Sequence, residues 1–518
     1  MKTALLPALF LSTAIATPAL AQSLTRVATV PLEAEITGMF VEGNDLFFNV
    51  QHPSPDLPTA FAKASVGVIS NFDTGNGEIA VPEGDAKNVV TSSMGEYQIL
   101  VQEGDFGRIG VISGPGGTIK TSNDPDFNAF VRTGENEGFL FTNWEDRPGG
   151  MSRVKMTRNE AGLWTVDKEA ADMIDFAGVQ GTWVNCFGTL SPWNTPLSSE
   201  ELYFDDTAEW NNPDYKYAAG VEALRDYLGH YPNPYRYGYI VEITDPAGSA
   251  TPVKHFAMGR FSHENSVVMP DGKTVYLSDD GTDVVFFKFV ADKAGDLSSG
   301  TLYAAKMTQM GEPGADSATT GFQISWIELA HGTAEEIEGW VANYDSITQD
   351  DYKAGTTSYI SDAEIAAWAR GEAADNRVAF LETRKAAAAK GATAEFRKME
   401  GVNINLAGAA DGSVPYMYMA MTSIGKGMSD DKGDIQVSEN KCGIVYQMRL
   451  DANYNVGAMM PAVVGGPYDK DAGVNACSVD SISNPDNVVV LDNGDVLIGE
   501  DTGKHENNMM WLWSRNEM

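Results

Sequence analysis

One short unit recurs along this chain: an apolar strand, a tight turn built on Gly, Asn and Asp, and a second alternating strand. The clearest copies are MFVEGNDLFFNVQH (39–52), VVMPDGKTVYLSDDG (267–281) and VVVLDNGDVLIGEDTG (488–503). Looser copies stand at 137–146 (EGFLFTNWED) and 407–422 (AGAADGSVPYMYMAMT). Asp-Gly and Asn-Gly steps close hairpins because both central residues tolerate positive φ. Hairpins repeated along a long chain predict an all-β fold, either a β-propeller or a large sandwich. The spacing is irregular, so it yields no blade count.

One stretch departs from this pattern. Between about 333 and 394 the residues turn helical: Ser361 reads as an N-cap with an acid in the first turn, and Ile365, Trp368 and Ala369 follow at helical spacing. Ala373 to Lys390 is rich in strong helix formers. The span predicts a helical insertion between blades or a separate cap. Residues 192–236, broken by five prolines, and the Gly- and Asp-rich 425–440 read as irregular loops.

Residues 1–21 carry Lys2, an apolar run from Ala4 to Ala16 and Ala19-Leu20-Ala21, the layout of a secretory signal peptide of the Sec type. The expected mature protein is therefore 22–518, periplasmic or secreted, and a monomer. No later stretch is apolar enough for a transmembrane segment. The 72 acids against 36 bases leave a formal charge of −36. That balance argues against nucleic acid as a partner, since a phosphate backbone needs a basic face. Of three cysteines, Cys442 and Cys477 share the C-terminal region beside turns and are expected to pair in an oxidising compartment. Cys186 is then a free thiol.

The sequence contains no nucleophile elbow, phosphate-binding loop, HExxH or CxxC. Acids instead gather where strands end: Glu145 and Asp146, Glu200 and Glu201, Asp279 and Asp280, Glu500 and Asp501, with Glu264 in RFSHEN. In a propeller such ends share one rim around the axis. Carboxylates brought together there need cations between them, and hard ions such as Ca²⁺ take oxygen ligands. A lone thiolate beside them, Cys186, favours a softer or trivalent transition metal such as iron.

These same residues carry a family likeness. RFSHENSVVMPDGKTVYLSDDGTDVVFFKFV (260–290) and NCFGTLSPWNTPLSSEE (185–201) resemble two blocks of the PhoX alkaline phosphatases, H-E…Y-x-G-D-D…Y-K-F and N-C-x-x-G-x-T-P-W-G-T-x-L-T-x-E-E. FTNWED, the helical 361–401 and NPDNVVVLDNGDVLIGEDTG (484–503) are similar to further blocks. The resemblance implies a six-bladed β-propeller that hydrolyses phosphate monoesters, small-molecule substrates, at a Ca²⁺/Fe³⁺ centre on its axis. Carried over, Cys186 ligates iron, and Glu145, Glu200, Glu264, Asp279, Asp280, Glu400 and Asp501 are the metal-binding carboxylates. Asn143 and either Arg397 or Lys398 hold phosphate. FRKME stands here for the family's M-D-R-P-E, and Lys lacks the bidentate grip of Arg. Ser199 replaces a common family Cys, and the Sec-type leader replaces the family's twin-arginine one. AEITGMFVEGNDLFFNVQHP (34–53) resembles a block that usually ends the family chain. The rival readings are a calcium propeller hydrolase of lactonase or phosphodiesterase type and a non-catalytic Ca²⁺-binding propeller.

Overall fold

The hairpin units form antiparallel strands in the computed structural model, which describes residues 23–515 apart from residue 205. The leader expected at 1–21 lies outside the described residues. The fold is mostly β, in antiparallel meanders that each begin with an inner strand. These inner strands are β1 (Glu35–Glu42), β2 (Pro125–Gly134), β3 (Asn185–Leu190), β4 (His263–Val268), β5 (Met399–Ile404) and β6 (Pro485–Val490). Each lies beside the next in chain order, and β6 returns beside β1, so the walls form a nearly closed, barrel-like arrangement. The meanders of β4 and β5 fuse at their outer edges, where Phe322 pairs with Met459, into one nine-stranded sheet. Ser23–Thr29 pairs with Met509–Ser514 and so completes the sheet that β6 begins.

Every inner strand has the same defect. Its pairing with the following strand slips near its start, at Thr37–Phe40, Pro125–Asn128, Asn185–Gly188, His263–Asn265, Met399–Val402 and Pro485–Val488. A β-bulge bends its strand and re-aims a side chain. Here the repetition aims one residue per inner strand toward a common point.

Between neighbouring sheets the outward faces interlock. Phe47, Phe130, Trp144 and Trp164 fill one gap, and Tyr418, Val488, Trp511 and Trp513 another. The span 333–394 is helical in pieces: Ala334–Ala342, Asp362–Ala369, Arg377–Leu381 and Thr383–Ala389. Ser361 and Glu364 form a capping box on the second of these. The helices bury Ile337, Ile365, Trp368 and Phe380 against Phe289 and Leu302 of the sheet. The Ala-rich run is not one helix, because Glu382 breaks it. Its carboxylate accepts from Thr207 and Tyr235, a tertiary demand that overrides propensity.

Two expectations need correction. Residues 192–236 are not wholly irregular: Pro196–Glu200 is a strand and Ala218–Leu228 a helix that buries Val221 and Leu224. In 407–422 only Tyr416–Met421 is strand, and Leu406–Asp411 is a short helix capped by Asn405. Cys442 and Cys477 form a disulfide, with Cα atoms 5.9 Å apart, and Cys186 is a buried free cysteine. Among the described residues no helix is long and apolar enough to cross a membrane.

Candidate metal centre

The residues lifted by the bulges are Asp126, Cys186, Glu264, Glu400 and Asp486, one each from β2 to β6. The matching position of β1 is Gly38, at φ +59°. A Cβ there would collide with Asn49 and lie 2.8 Å from the Asp126 carbonyl oxygen, so only glycine fits. A second tier comes from the residue just past four of the six second strands: Glu145, Glu201, Asp280 and Asp501 follow Glu137–Trp144, Pro196–Glu200, Thr274–Asp279 and Val496–Glu500.

Three groups of donors converge. Asp126, Glu145 and Cys186 form one, Cys186, Glu201 and Glu264 the next, and Glu264, Glu400 and Asp486 the third; within each, donor atoms lie within 4.8 Å of one another. Cys186 Sγ sits 2.9 Å from Asp126 Oδ2 and 3.0 Å from Glu264 Oε2. Shared members make the groups one continuous centre.

Bare anions at this density are unfavourable. Burial, reinforced by neighbouring carboxylates, pushes Glu201, Glu264, Glu145 and Asp486 far above the usual carboxylate range. Burial likewise pushes Asp126 and Glu400 up to about 7. The Cys186 thiol rises too, first through burial and then through Asp126 and Glu264. Asp126 Oδ1 and Asn143 Oδ1 are buried without a hydrogen-bond partner. Oxygen donors in excess, one thiol and orphaned acceptors fit bound multivalent cations, which would supply the missing positive charge.

Two of the carboxylates expected as ligands are turned away. Glu200 accepts from Lys254 Nζ at 2.9 Å and from the Trp183, Gly238 and Tyr239 backbone nitrogens. Asp279 is gripped by Arg384 and accepts from Val285 N. Successive side chains alternate between the faces of a strand, so Glu200 and Asp279 brace the sheet while Glu201 and Asp280 face inward. Asp126, Glu201 and Asp486 are missing from the ligands assigned by sequence. The signal that could have found the bulge acids is the recurrence of an acid followed by Asn at the start of an inner strand: DFN at 126–128, EN at 264–265, EGVN at 400–403 and DN at 486–487.

The polar surroundings divide by role. Lys398, held at φ 49°, places Nζ 3.0 Å from Asp280 Oδ2 and 3.1 Å from Glu400 Oε1. Burial alone would lower its pKa, but Glu400 and Asp280 outweigh it and hold the ammonium firmly charged. Tyr203 hydrogen-bonds both Glu201 and Asp280. Arg397 turns aside and donates to Ser423 Oγ at 2.9 Å. Asn143 donates to the Cys186 carbonyl. Asp501 lies by Glu35, whose carboxyl is pushed up to about 8 by burial and by Asp501, with His52 2.8 Å away on its other side.

A nearly closed β wall of propeller-like sheets, with a thiol and carboxylates from separate sheets converging inside it, marks a β protein with a buried centre fit for metal ions. A family model described as alkaline phosphatase PhoX matches residues 147–516, well over half of the chain. The chain belongs to the PhoX alkaline phosphatase family, and it is accordingly a metal-dependent phosphatase, a phosphoric monoester hydrolase. Among solved structures it is similar to Pseudomonas fluorescens PhoX in complex with vanadate, a transition state analogue. The TM-score is 0.55 at 18% identity, over 94% of this chain and 87% of that one. The pyranose dehydrogenase PQQ domain from Coprinopsis cinerea aligns over 97% of this chain and 99% of its own, but at TM-score 0.36 and 9% identity the likeness carries no weight. No curated protein matches the chain.

Proposed function

We propose that this phosphatase works at a mixed iron and calcium centre on the axis of a six-bladed propeller, with the six inner strands as the walls of the channel. The observation that carries this reading is the position of Cys186 Sγ in direct contact with carboxylates of two other inner strands. The thiolate suits iron, while Glu264, Glu400, Asp486, Glu201, Glu145 and Asp126 suit Ca²⁺ and can share iron with the sulfur. Asp280 and Asp501 complete the outer rim. Cations held by these residues would supply the positive charge that a transferring phosphoryl group needs and would lower the pKa of an attacking water.

The chain's own groups bind and orient. Lys398, in contact with both Asp280 and Glu400, is the residue of the 397–398 pair that holds a phosphate oxygen. Its side chain acts as a point charge and not as a fork. Asn143 is fully buried, and its free atom is a carbonyl oxygen, which suits a cation better than an anion. We therefore assign it to positioning the Cys186 backbone. The signal-like 1–21 supports export to the periplasm or beyond.

The test is hydrolysis of p-nitrophenyl phosphate with elemental analysis. Chelation should abolish turnover, and Ca²⁺ with iron should restore it; vanadate, which binds the P. fluorescens protein, should inhibit competitively. Full activity in protein free of both metals would end this reading.

A further inference from the structure

In a protein with 72 acids and 36 bases, a cation without a carboxylate partner stands out. Arg397 and Lys504 are two such groups beside the metal centre. Both are half-buried, and among the described residues neither makes an ion pair. Lys504 Nζ donates to Asn484 Oδ1 at 2.6 Å, while Arg397 Nε donates to Ser423 Oγ at 2.9 Å. Asn484 in turn donates to the Thr422 carbonyl at 2.6 Å. Neutral groups on one short strip, where the sheets of β5 and β6 meet, therefore hold both cations.

The strip touches the centre directly. Thr422 Oγ1 donates to Glu400 Oε1 at 2.6 Å, and Asp501 N donates to the Asn484 carbonyl at 3.3 Å. Asn484 keeps this join through a left-handed φ of 45°. If these cations served to neutralise the centre, they would contact its carboxylates as Lys398 does. They do not. Burial lowers the Lys504 pKa; Asp501 opposes that, while Arg397 and Lys441 reinforce it, which places these cations within each other's field. Arg397 and Lys504, held close together and neither in an ion pair, form a local positive field that attracts an anion from outside.

We propose that Arg397 and Lys504 form a second anion subsite, which selects phosphate monoesters whose alcohol part carries another negative group, a carboxylate or a second phosphate. The proposal rests on the phosphomonoesterase reading with the scissile phosphate at Lys398.

The experiment compares kcat/KM within matched ester pairs on metal-loaded protein. One pair is 3-phosphoglycerate against glycerol 3-phosphate; the other, with a longer spacer, is fructose 1,6-bisphosphate against fructose 6-phosphate. Wild type should favour the doubly anionic member of at least one pair. Lys504→Met and Arg397→Met should each lower that preference about tenfold, the size of one charge-assisted contact. Lys504→Arg should keep most of it, and added salt should erode it. Metal content and melting temperature check that each variant is folded and loaded. Equal use of both members by wild type, or a preference unmoved in both Met variants, overturns the subsite while leaving the phosphatase reading intact. No hydrolysis of any of the four esters would instead defeat the phosphatase reading itself.

Discussion

Glu200 and Glu201 are neighbours with opposite fates. Glu200 points into the sheet, where both it and Lys254 have almost no exposed side-chain surface. Glu201 joins Cys186 and Glu264. Removing one partner of a buried ion pair leaves the other charge stranded, so Glu200→Gln should cost about 3–5 kcal/mol of stability. Its metal content should remain wild-type. Glu201→Gln should do the reverse: thermal stability of the metal-free protein holds or rises, while metal occupancy and kcat/KM drop, the latter by about a hundredfold. Denaturant titration and elemental analysis on the two variants test this division. On the proposed iron and calcium centre, Cys186→Ser should lose iron selectively and keep most of the calcium, since a hydroxyl is a poor ligand for the softer metal.

At the level of elements, the bulge repeated in the inner strands is what makes a site. A regular strand would send alternate residues into the gaps between sheets, where Phe47 or Trp511 now lie. The slipped register frees one side chain per strand to face the centre. Gly38 is the member of this set that carries no ligand, and its left-handed backbone and close neighbours set the spacing of β1 from β2. Gly38→Ala should therefore destabilise by about 2–4 kcal/mol, combining backbone strain with overpacking. It should also weaken metal binding although no ligand is touched. A calorimetric scan with metal titration measures both. If Gly38→Ala binds metal like wild type, the inner-strand spacing does not tune the centre.

For the molecule as a whole, the metals and the chain closure share the work of stability. Glu35, Asp126 and Glu400 hold protons more tightly when folded, at about 8, 7 and 7, than in an unfolded chain at about 4. A raised folded pKa means that this stabilisation is complete at low pH and is lost as pH climbs through the folded values. Chelated protein should thus melt at progressively lower temperature between about pH 4 and 8. Metal-loaded protein should show the opposite trend, since cations compete with protons for the same oxygens. Thermal scans across that range decide the matter, and a chelated protein with no pH dependence would contradict the crowding of charge. Reducing Cys442–Cys477, which closes a loop of 35 residues, should cost about 2–4 kcal/mol.

The hairpins, the helical span, the free Cys186 and the acids at strand ends were legible in order and residue type, because turn chemistry, helix caps and strand-end composition are local properties, whereas Glu400 entered only through the family likeness. The family likeness sharpened them into a phosphatase. Local reasoning could not tell Glu200 from Glu201 or Asp279 from Asp280, since face depends on strand register and register on pairing with distant strands. It passed over Asp126 and Asp486 because a bulge leaves only a faint mark, an acid and an Asn a residue or two apart. Composition and short motifs thus determine that this chain makes a β protein rich in inward-turning acids. Which acids meet, and what cation can hold them together, follows from long-range packing of inner strands hundreds of residues apart.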